Sequence, residues 1–185
     1  MMRSYLLLAL FLVALPLRAE TLVFESIKGI QETVFAKDGT KAVVLVFIDA
    51  ECPIANAYQP ELQRLEKKFS GQGLRFIMIH ADPDTSIEKA KTHAKEFGIT
   101  APVCIDKGHR WVKRTGASVT PEVVVLGPDG KTIYQGRIDD RYAELGKKRA
   151  EPTVRNLEVA LADVVAGKPV KGAKTQAVGC RIFVE

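Results

Sequence analysis

The chain has 185 residues, with 27 Lys and Arg against 22 Asp and Glu, so its formal net charge at pH 7 is +5. The basic residues are interspersed with acidic ones, which argues against a surface for nucleic acid or membrane and indicates an ordinary solvated surface. Without the N-terminal segment described next, the length suits one domain with its own hydrophobic core.

The first 19 residues have the layout of a secretory signal peptide. Arg3 provides a positive start, residues 5–15 form an almost unbroken apolar run, and Ala19 is a small residue at the expected cleavage point. The run is shorter than the ~20 residues of a membrane span. We therefore expect a protein secreted across the inner membrane into the periplasm or beyond, with an uncleaved anchor as the alternative and no further membrane association.

The next part of the chain alternates strands and helices. Residues 41–48 are apolar and β-branched, which predicts a strand buried on both faces. Pro53 suits the first turn of a helix over 53–69, which glycines then end. A strand over 74–80 and a helix over 87–97 follow.

The second half predicts a short strand over 102–105, a short helix or turn over 109–114, and a hairpin with strands 122–126 and 131–136 around the turn signal Gly127-Pro128-Asp129-Gly130. Apolar positions at helical spacing predict a last helix over 153–165, and residues 170–185 show no clear period. The order indicates an α/β domain over 20–168, with a central mixed sheet flanked by helices on both faces. Residues 169–185 are predicted to be a C-terminal tail.

Three segments in this order resemble the thioredoxin superfamily: 43–53, a strand running into Cys52-Pro53; 119–126, which contains Thr120-Pro121; and the hairpin 127–136. The chain looks closest to the redoxins of the peroxiredoxin-like branch, the alkyl hydroperoxide reductase and thiol-specific antioxidant group. The resemblance covers about residues 30–165. It implies a thioredoxin-like fold in which Pro121 is cis and lies beside an active Cys52.

Cys52 is the candidate nucleophile. Cysteine reacts as the thiolate, which a helix N-terminus favours and the neighbouring Glu51 opposes. The chain departs from two family motifs: Ala55 stands where a Cys-x-x-Cys motif has its second cysteine, and Asp49 and Leu45 stand where peroxiredoxins carry Thr and Pro. The local resolving thiol is therefore missing, and the hydrogen bonds that polarise a peroxide in the family are not guaranteed here.

The chain has three cysteines, which allow at most one internal disulfide. Cys180 lies in the predicted tail, where residues 170–179 could span about 30 Å and Gly179 permits close backbone approach. Our hypothesis is that Cys180 folds back to Cys52 as a resolving or structural disulfide partner. The alternative is that it pairs with another protein or with nothing. Cys104 lies in a short apolar strand and is interpreted as a small buried hydrophobe.

Other candidates would support Cys52. Asn56 and Tyr58 lie one turn into its helix and could donate hydrogen bonds to a sulfur, and Arg137 follows the hairpin and could line the Cys52 edge. The alternative for each is an ordinary surface side chain.

The leading hypothesis is an exported thiol–disulfide oxidoreductase. Cys52 would attack a disulfide, and Cys180 or an external thiol would resolve the mixed disulfide. In a variant of this reaction a peroxide oxidises Cys52 to a sulfenic acid. The expected partners are protein or small-molecule thiols and disulfides, with no nucleic acid and no cofactor.

Two other hypotheses remain open. Residues 81–85 and the helix after them resemble Sco-type copper chaperones, and the thiolates of Cys52 and Cys180 could hold Cu(I), although the second nearby cysteine and a histidine near Pro121 are lacking and no metal site is assigned. The last hypothesis is a non-catalytic scaffold in which a Cys52–Cys180 disulfide ties down the tail.

Overall fold

The computed structural model describes residues 22–35 and 39–184, so the predicted signal peptide lies outside the described residues. Within these ranges no helix has the length and apolarity that a bilayer crossing requires. The described strands and α-helices follow in the order β1 (Val23–Glu25), β2 (Gln31–Thr33), β3 (Ala42–Ile48), α1 (Pro53–Ala57), α2 (Gln59–Phe69), β4 (Leu74–His80), α3 (Ile87–Glu96), β5 (Val103–Ile105), α4 (Arg110–Thr115), β6 (Val119–Thr120), β7 (Glu122–Leu126), β8 (Thr132–Gly136), β9 (Tyr142–Glu144), β10 (Lys147–Lys148), α5 (Asn156–Val165) and β11 (Cys180–Arg181).

Five strands form the central sheet, in the order β5-β4-β3-β7-β8. The pairs β3–β4 and β4–β5 are parallel, whereas β3–β7 and β7–β8 are antiparallel, so the sheet is mixed as predicted. The other strands form three short pairs: β1 with β2, β9 with β10, and β6 with β11. The last of these pairs positions the candidate site.

All seven residues of β3 are fully buried, because both faces of the sheet are covered. Val44, Val46 and Ile48 face a cluster built with α1, α2, α3 and α5, whereas Val43, Leu45 and Phe47 face a second cluster built with α4 and β1. The prediction of helices on both faces is therefore confirmed. This double cover makes β3 a rigid support for the residues that follow it.

The predicted continuous helix over 53–69 is wrong in one respect: it is broken at Tyr58, where α1 ends and α2 begins. Pro60 explains the break. Proline has no N–H to donate to the carbonyl of Asn56, and its ring crowds that carbonyl. The short α1 can therefore point its N-terminus independently of the longer α2.

The C-terminal tail is folded onto the sheet. The N–H of Gln135 in β8 donates to the carbonyl of Ala173 at 2.8 Å, and the N–H of Thr175 donates back to Gln135 at 2.9 Å. Strand β11 then pairs with β6, with Cys180 opposite Thr120. A two-residue strand has no alternation that a sequence pattern could reveal. The domain limits at 20 and 168 stay predictions.

His80, at the end of β4, is fully buried, and neither of its ring nitrogens has a hydrogen-bond partner. Burial, with the positive charges that His93 and Lys89 can carry, lowers the pKa of His80 to about 4 from its ordinary 6.5. Protonating this ring inside the folded protein is therefore unfavourable.

We predict that His80 weakens the fold in mild acid. The unfolded chain takes up the proton at its higher pKa, so the free energy of unfolding should fall as the pH drops from about 6.5 to about 4, by on the order of 3 kcal/mol in total. Denaturant unfolding of the wild type and His80→Leu at several pH values measures this. Over this pH range the free energy of unfolding should fall more in the wild type than in the variant. A free-energy difference between the two proteins that is the same at every pH would contradict the prediction.

Candidate functional site at Cys52

Cys52 is positioned by the exit from β3 and the start of α1. It is the N-cap residue of α1, with φ −82° and ψ 109°, and its Sγ accepts the N–H of Ala55 at 3.4 Å. Pro53 occupies the first turn, where its missing N–H costs no hydrogen bond. The Cys52 side chain is only 1% exposed. The sulfur therefore sits at a helix start, beneath other parts of the chain.

Thr120 and Pro121 lie directly against this sulfur. The Cys52 thiol donates to the carbonyl of Thr120 at 2.9 Å, and the Thr120–Pro121 peptide bond is cis. Thr120 ends β6 and Pro121 precedes the buried β7. The structure thus brings Cys52 together with Thr120 and Pro121, which lie in a separate segment of the sequence.

Cys180 is the second thiol at the site. Strand β11 places it opposite Thr120, the residue whose carbonyl accepts the Cys52 thiol, so both cysteines lie at one peptide group. Burial, followed by the interactions with Cys52 and with the charge of Asp49, raises the pKa of Cys180 to about 12. All three cysteines carry free thiols. The sequence hypothesis that the tail carries Cys180 back to Cys52 therefore agrees with the geometry, while the chemical roles of the two thiols are addressed below.

Cys104 lies in β5 and faces the second core cluster, 1% exposed. Burial, followed by the charge of Asp106, raises its pKa to about 12. A thiol in this environment stays protonated and unreactive, in line with its interpretation as a small buried hydrophobe.

The loop before Cys52 is held by α3. Glu51 pairs with Lys89 at 2.6 Å, which turns its carboxylate toward α3. Asn56 donates to the carbonyl of Ala50 at 2.9 Å and bonds His93 at 2.9 Å. The expectation that Asn56 donates to a sulfur is therefore wrong: its amide fixes the loop backbone instead.

Tyr58 also serves a different partner from the expected one. Its hydroxyl donates to Oδ1 of the buried Asp139 at 2.5 Å. Burial, and then the bond to and charge of Asp139, raise the pKa of Tyr58 far above its usual range. Nothing in the sequence signals that the Asp139 carboxylate is buried.

Arg137 turns its guanidinium toward the start of α5, where Nε donates to Asn156 at 2.9 Å. It also lines a small cavity of about 10 Å³ with Tyr58, Pro121 and Val178. Arg137 therefore supports the Pro121 side of the site without reaching a sulfur through any hydrogen bond of the described residues.

Gly179 is a site residue whose role the sequence only hinted at. A Cβ atom at this position would lie 2.1 Å from the carbonyl oxygen of Thr120. Only glycine lets the tail approach β6 this closely. Among the residues that the structure describes, no group of three or more His, Cys, Asp or Glu side chains is placed to hold a metal ion.

Comparison with known proteins gives matches of sequence and of fold. The model of the AhpC/TSA family matches residues 22–135. The thiol-disulfide oxidoreductase ResA of Bacillus thuringiensis (strain Al Hakam) is 30% identical over 95 residues, which cover 51% of this chain and 54% of ResA. The chain thus spans about half the length of the curated relatives that it matches.

Two solved structures show the same fold. An uncharacterized conserved protein from Geobacillus kaustophilus superposes with a TM-score of 0.78 at 25% identity, covering 90% of each chain. A secreted Mycobacterium tuberculosis disulfide oxidoreductase homologous to E. coli DsbE gives a TM-score of 0.55 at 17% identity, covering 80% of this chain and 96% of the other. The thioredoxin-like fold is therefore confirmed.

We predict that Tyr58→Phe destabilises the protein by about 1–3 kcal/mol, because it leaves the buried Asp139 carboxylate without one of its donors. Denaturant unfolding measures the change. Tyr142→Phe is the matched control: its ring lies 5.5 Å from that of Tyr58, and its hydroxyl has no hydrogen bond within the described residues. Equal effects of the two substitutions would show that the Tyr58–Asp139 bond contributes nothing specific.

Proposed function

Because the chain belongs to the AhpC/TSA family, we propose that it is a thiol–disulfide oxidoreductase in which Cys52 is the nucleophile and Cys180 the resolving thiol. The observation that carries the proposal is that the folded tail pairs Cys180 with Thr120, whose carbonyl accepts the Cys52 thiol at 2.9 Å, so that two cysteines from distant parts of the sequence lie at one peptide group. Cys180 on the tail thereby takes the place of the second cysteine of a Cys-x-x-Cys motif, a position at which this chain has Ala55.

The reaction proceeds by two exchanges. The Cys52 thiolate attacks one sulfur of a substrate disulfide, forms a mixed disulfide with it and releases the other sulfur as a thiolate. The Cys180 thiolate then attacks Cys52 Sγ, forms the Cys52–Cys180 disulfide and releases the second substrate thiolate. The substrate disulfide gains two electrons and the protein loses two. An external dithiol restores both cysteines by the reverse exchange.

The surroundings of the two sulfurs set the order of attack. Cys52 Sγ accepts the N–H of Ala55 at the start of α1, a donor that stabilises negative charge on sulfur. Burial raises the pKa of Cys180 most, followed by its interaction with Cys52 and the charge of Cys52. The contributions of Cys52 disappear when Cys52 enters a mixed disulfide, so the Cys180 thiolate becomes easier to form once Cys52 has reacted.

Export is part of the proposal. It is supported by the signal-peptide pattern of residues 1–19 and by the M. tuberculosis disulfide oxidoreductase of the same fold, which is a secreted protein. An oxidising compartment permits a disulfide between two cysteines far apart in sequence. The substrates would then be thiols and disulfides of exported proteins or small molecules. A peroxide is the less supported oxidant, because Asp49 and Leu45 replace the family's Thr and Pro.

We predict that Cys180→Ser traps the mixed disulfide and that Cys52→Ser abolishes exchange. Mixing each reduced protein with a peptide disulfide and analysing it by non-reducing mass spectrometry should show an internal disulfide in the wild type. Cys180→Ser should accumulate a peptide adduct at Cys52, and Cys52→Ser should form neither product. Cys104→Ser is the control and should behave as the wild type.

Two outcomes would contradict this function. A disulfide that forms in the wild type but is never reduced by a dithiol during turnover would make the bond structural, as the scaffold hypothesis requires. Stoichiometric Cu(I) binding by the reduced wild type, lost in Cys52→Ser, together with no catalysed exchange, would favour the copper-binding hypothesis.

A further inference from the structure

The pairing of β11 with β6 occupies the backbone edge next to Cys52. Cys180 lies opposite Thr120 and Arg181 lies opposite Val119, in antiparallel register. The N–H of Ile182 donates to the carbonyl of Ser118 at 2.9 Å. The chain's own tail is thus an extended segment that carries a cysteine and is docked as a strand.

The tail approaches the rest of the domain closely at two points. A Cβ at Gly179 would lie 2.1 Å from the carbonyl oxygen of Thr120, and a Cβ at Gly136 would lie 2.1 Å from the carbonyl oxygen of Thr175. Beyond Gly179 the attachment is short, since β11 has only two residues. A short strand of this kind opens locally far more easily than the buried sheet.

A second extended segment cannot pair with the same edge while β11 is in place, since each backbone group serves one strand partner. Cys52, 1% exposed, is covered at the same time. A partner that presents a disulfide to Cys52 must therefore displace the tail. It would then pair with the same backbone groups of β6 that now pair with the tail.

Resting on the proposed function, we propose that residues 178–182 are a built-in substitute for the substrate, and that the partner is an extended polypeptide segment with a half-cystine where Cys180 lies. The segment adds to β6 as a strand, which is a general mode of peptide recognition. The backbone at Ser118–Thr120 supplies the affinity, and the tail competes with the partner for it.

The test measures how fast Cys52 reacts with a peptide in full-length variants that all carry Cys180→Ser. The probe is a short β-branched peptide whose central cysteine is activated as the thionitrobenzoate disulfide, so that absorbance reports attack by Cys52. A matched peptide has proline two residues after its cysteine, where Ile182 donates in the tail, and therefore lacks that N–H. Cys104 is buried and contributes nothing.

Two substitutions release the tail in different ways. Gly179→Ala introduces the clash with Thr120, and Ile182→Pro removes the donor to Ser118. The control is Gly71→Ala, because Gly71, like Gly179, has no positive φ and a Cβ there meets nothing within 4 Å. Hydrogen exchange and thermal unfolding confirm that each variant is folded and that residues 178–182 have detached only in the first two.

We expect both releasing variants to react about tenfold faster with the pairing peptide, as release of one or two hydrogen bonds would give, and less so with the proline peptide. Gly71→Ala should leave both rates unchanged. Equal acceleration of both peptides would make the tail a simple cover and overturn the docking edge, as would unchanged rates with a detached tail. No variant in this test has Cys180, so these outcomes do not depend on whether Cys180 resolves Cys52. A failure of Cys180 to resolve the mixed disulfide would appear only in the exchange reaction of the wild type.

Discussion

The backbone of Thr120 is the point to which both cysteines are tied. Its carbonyl accepts the Cys52 thiol at 2.9 Å, and Thr120 itself pairs with Cys180 in the facing strand. The same carbonyl would clash with any side chain at position 179. One peptide group therefore sets the position of Cys52, of Cys180 and of the chain that carries Cys180, and its own position is fixed by the buried β7 that follows.

The rest of the fold keeps that arrangement in place from opposite sides. Strand β3 is buried on both faces and ends directly before the loop that leads to Cys52. Asn56 ties the loop to His93 on α3, and the bond from Tyr58 to Asp139 ties the junction of α1 and α2 to the segment after β8. Each of these bonds holds the backbone near Cys52 without contacting its sulfur. Asn56 and Tyr58, which were expected to donate to a sulfur, therefore stabilise the backbone around it instead.

The sequence was sufficient for the parts of the fold that depend on long apolar patterns. Strands β3, β4 and β7 and helix α5 each bury enough apolar side chains to leave a clear period or an unbroken run. The break at Tyr58 was missed because the stripe continues through it, although Pro60 carried the signal. Strands β6 and β11 could not be predicted, since two-residue strands depend on tertiary pairing alone. Of the site, Cys52, Pro121 and Cys180 could be predicted from motifs and counting, whereas the buried state of Asp139 could not, because burial of a carboxylate depends on the fold around it.

A second thiol at the end of a tail differs physically from one in the next helical turn. A helical turn holds two cysteines at a fixed separation on a rigid element. The tail instead holds Cys180 near Cys52 by a short strand pair whose free energy of opening is smaller than that of the whole domain. The local concentration of Cys180 at Cys52 is then set by how firmly the tail is docked, and it falls when another strand takes the same edge. In the proposed function, Ala55 in place of a second helical cysteine moves the resolving thiol from the rigid core to a segment that can be exchanged. The strength of β-pairing at Thr120, rather than the reactivity of either sulfur alone, would then determine whether Cys52 meets Cys180 or a partner.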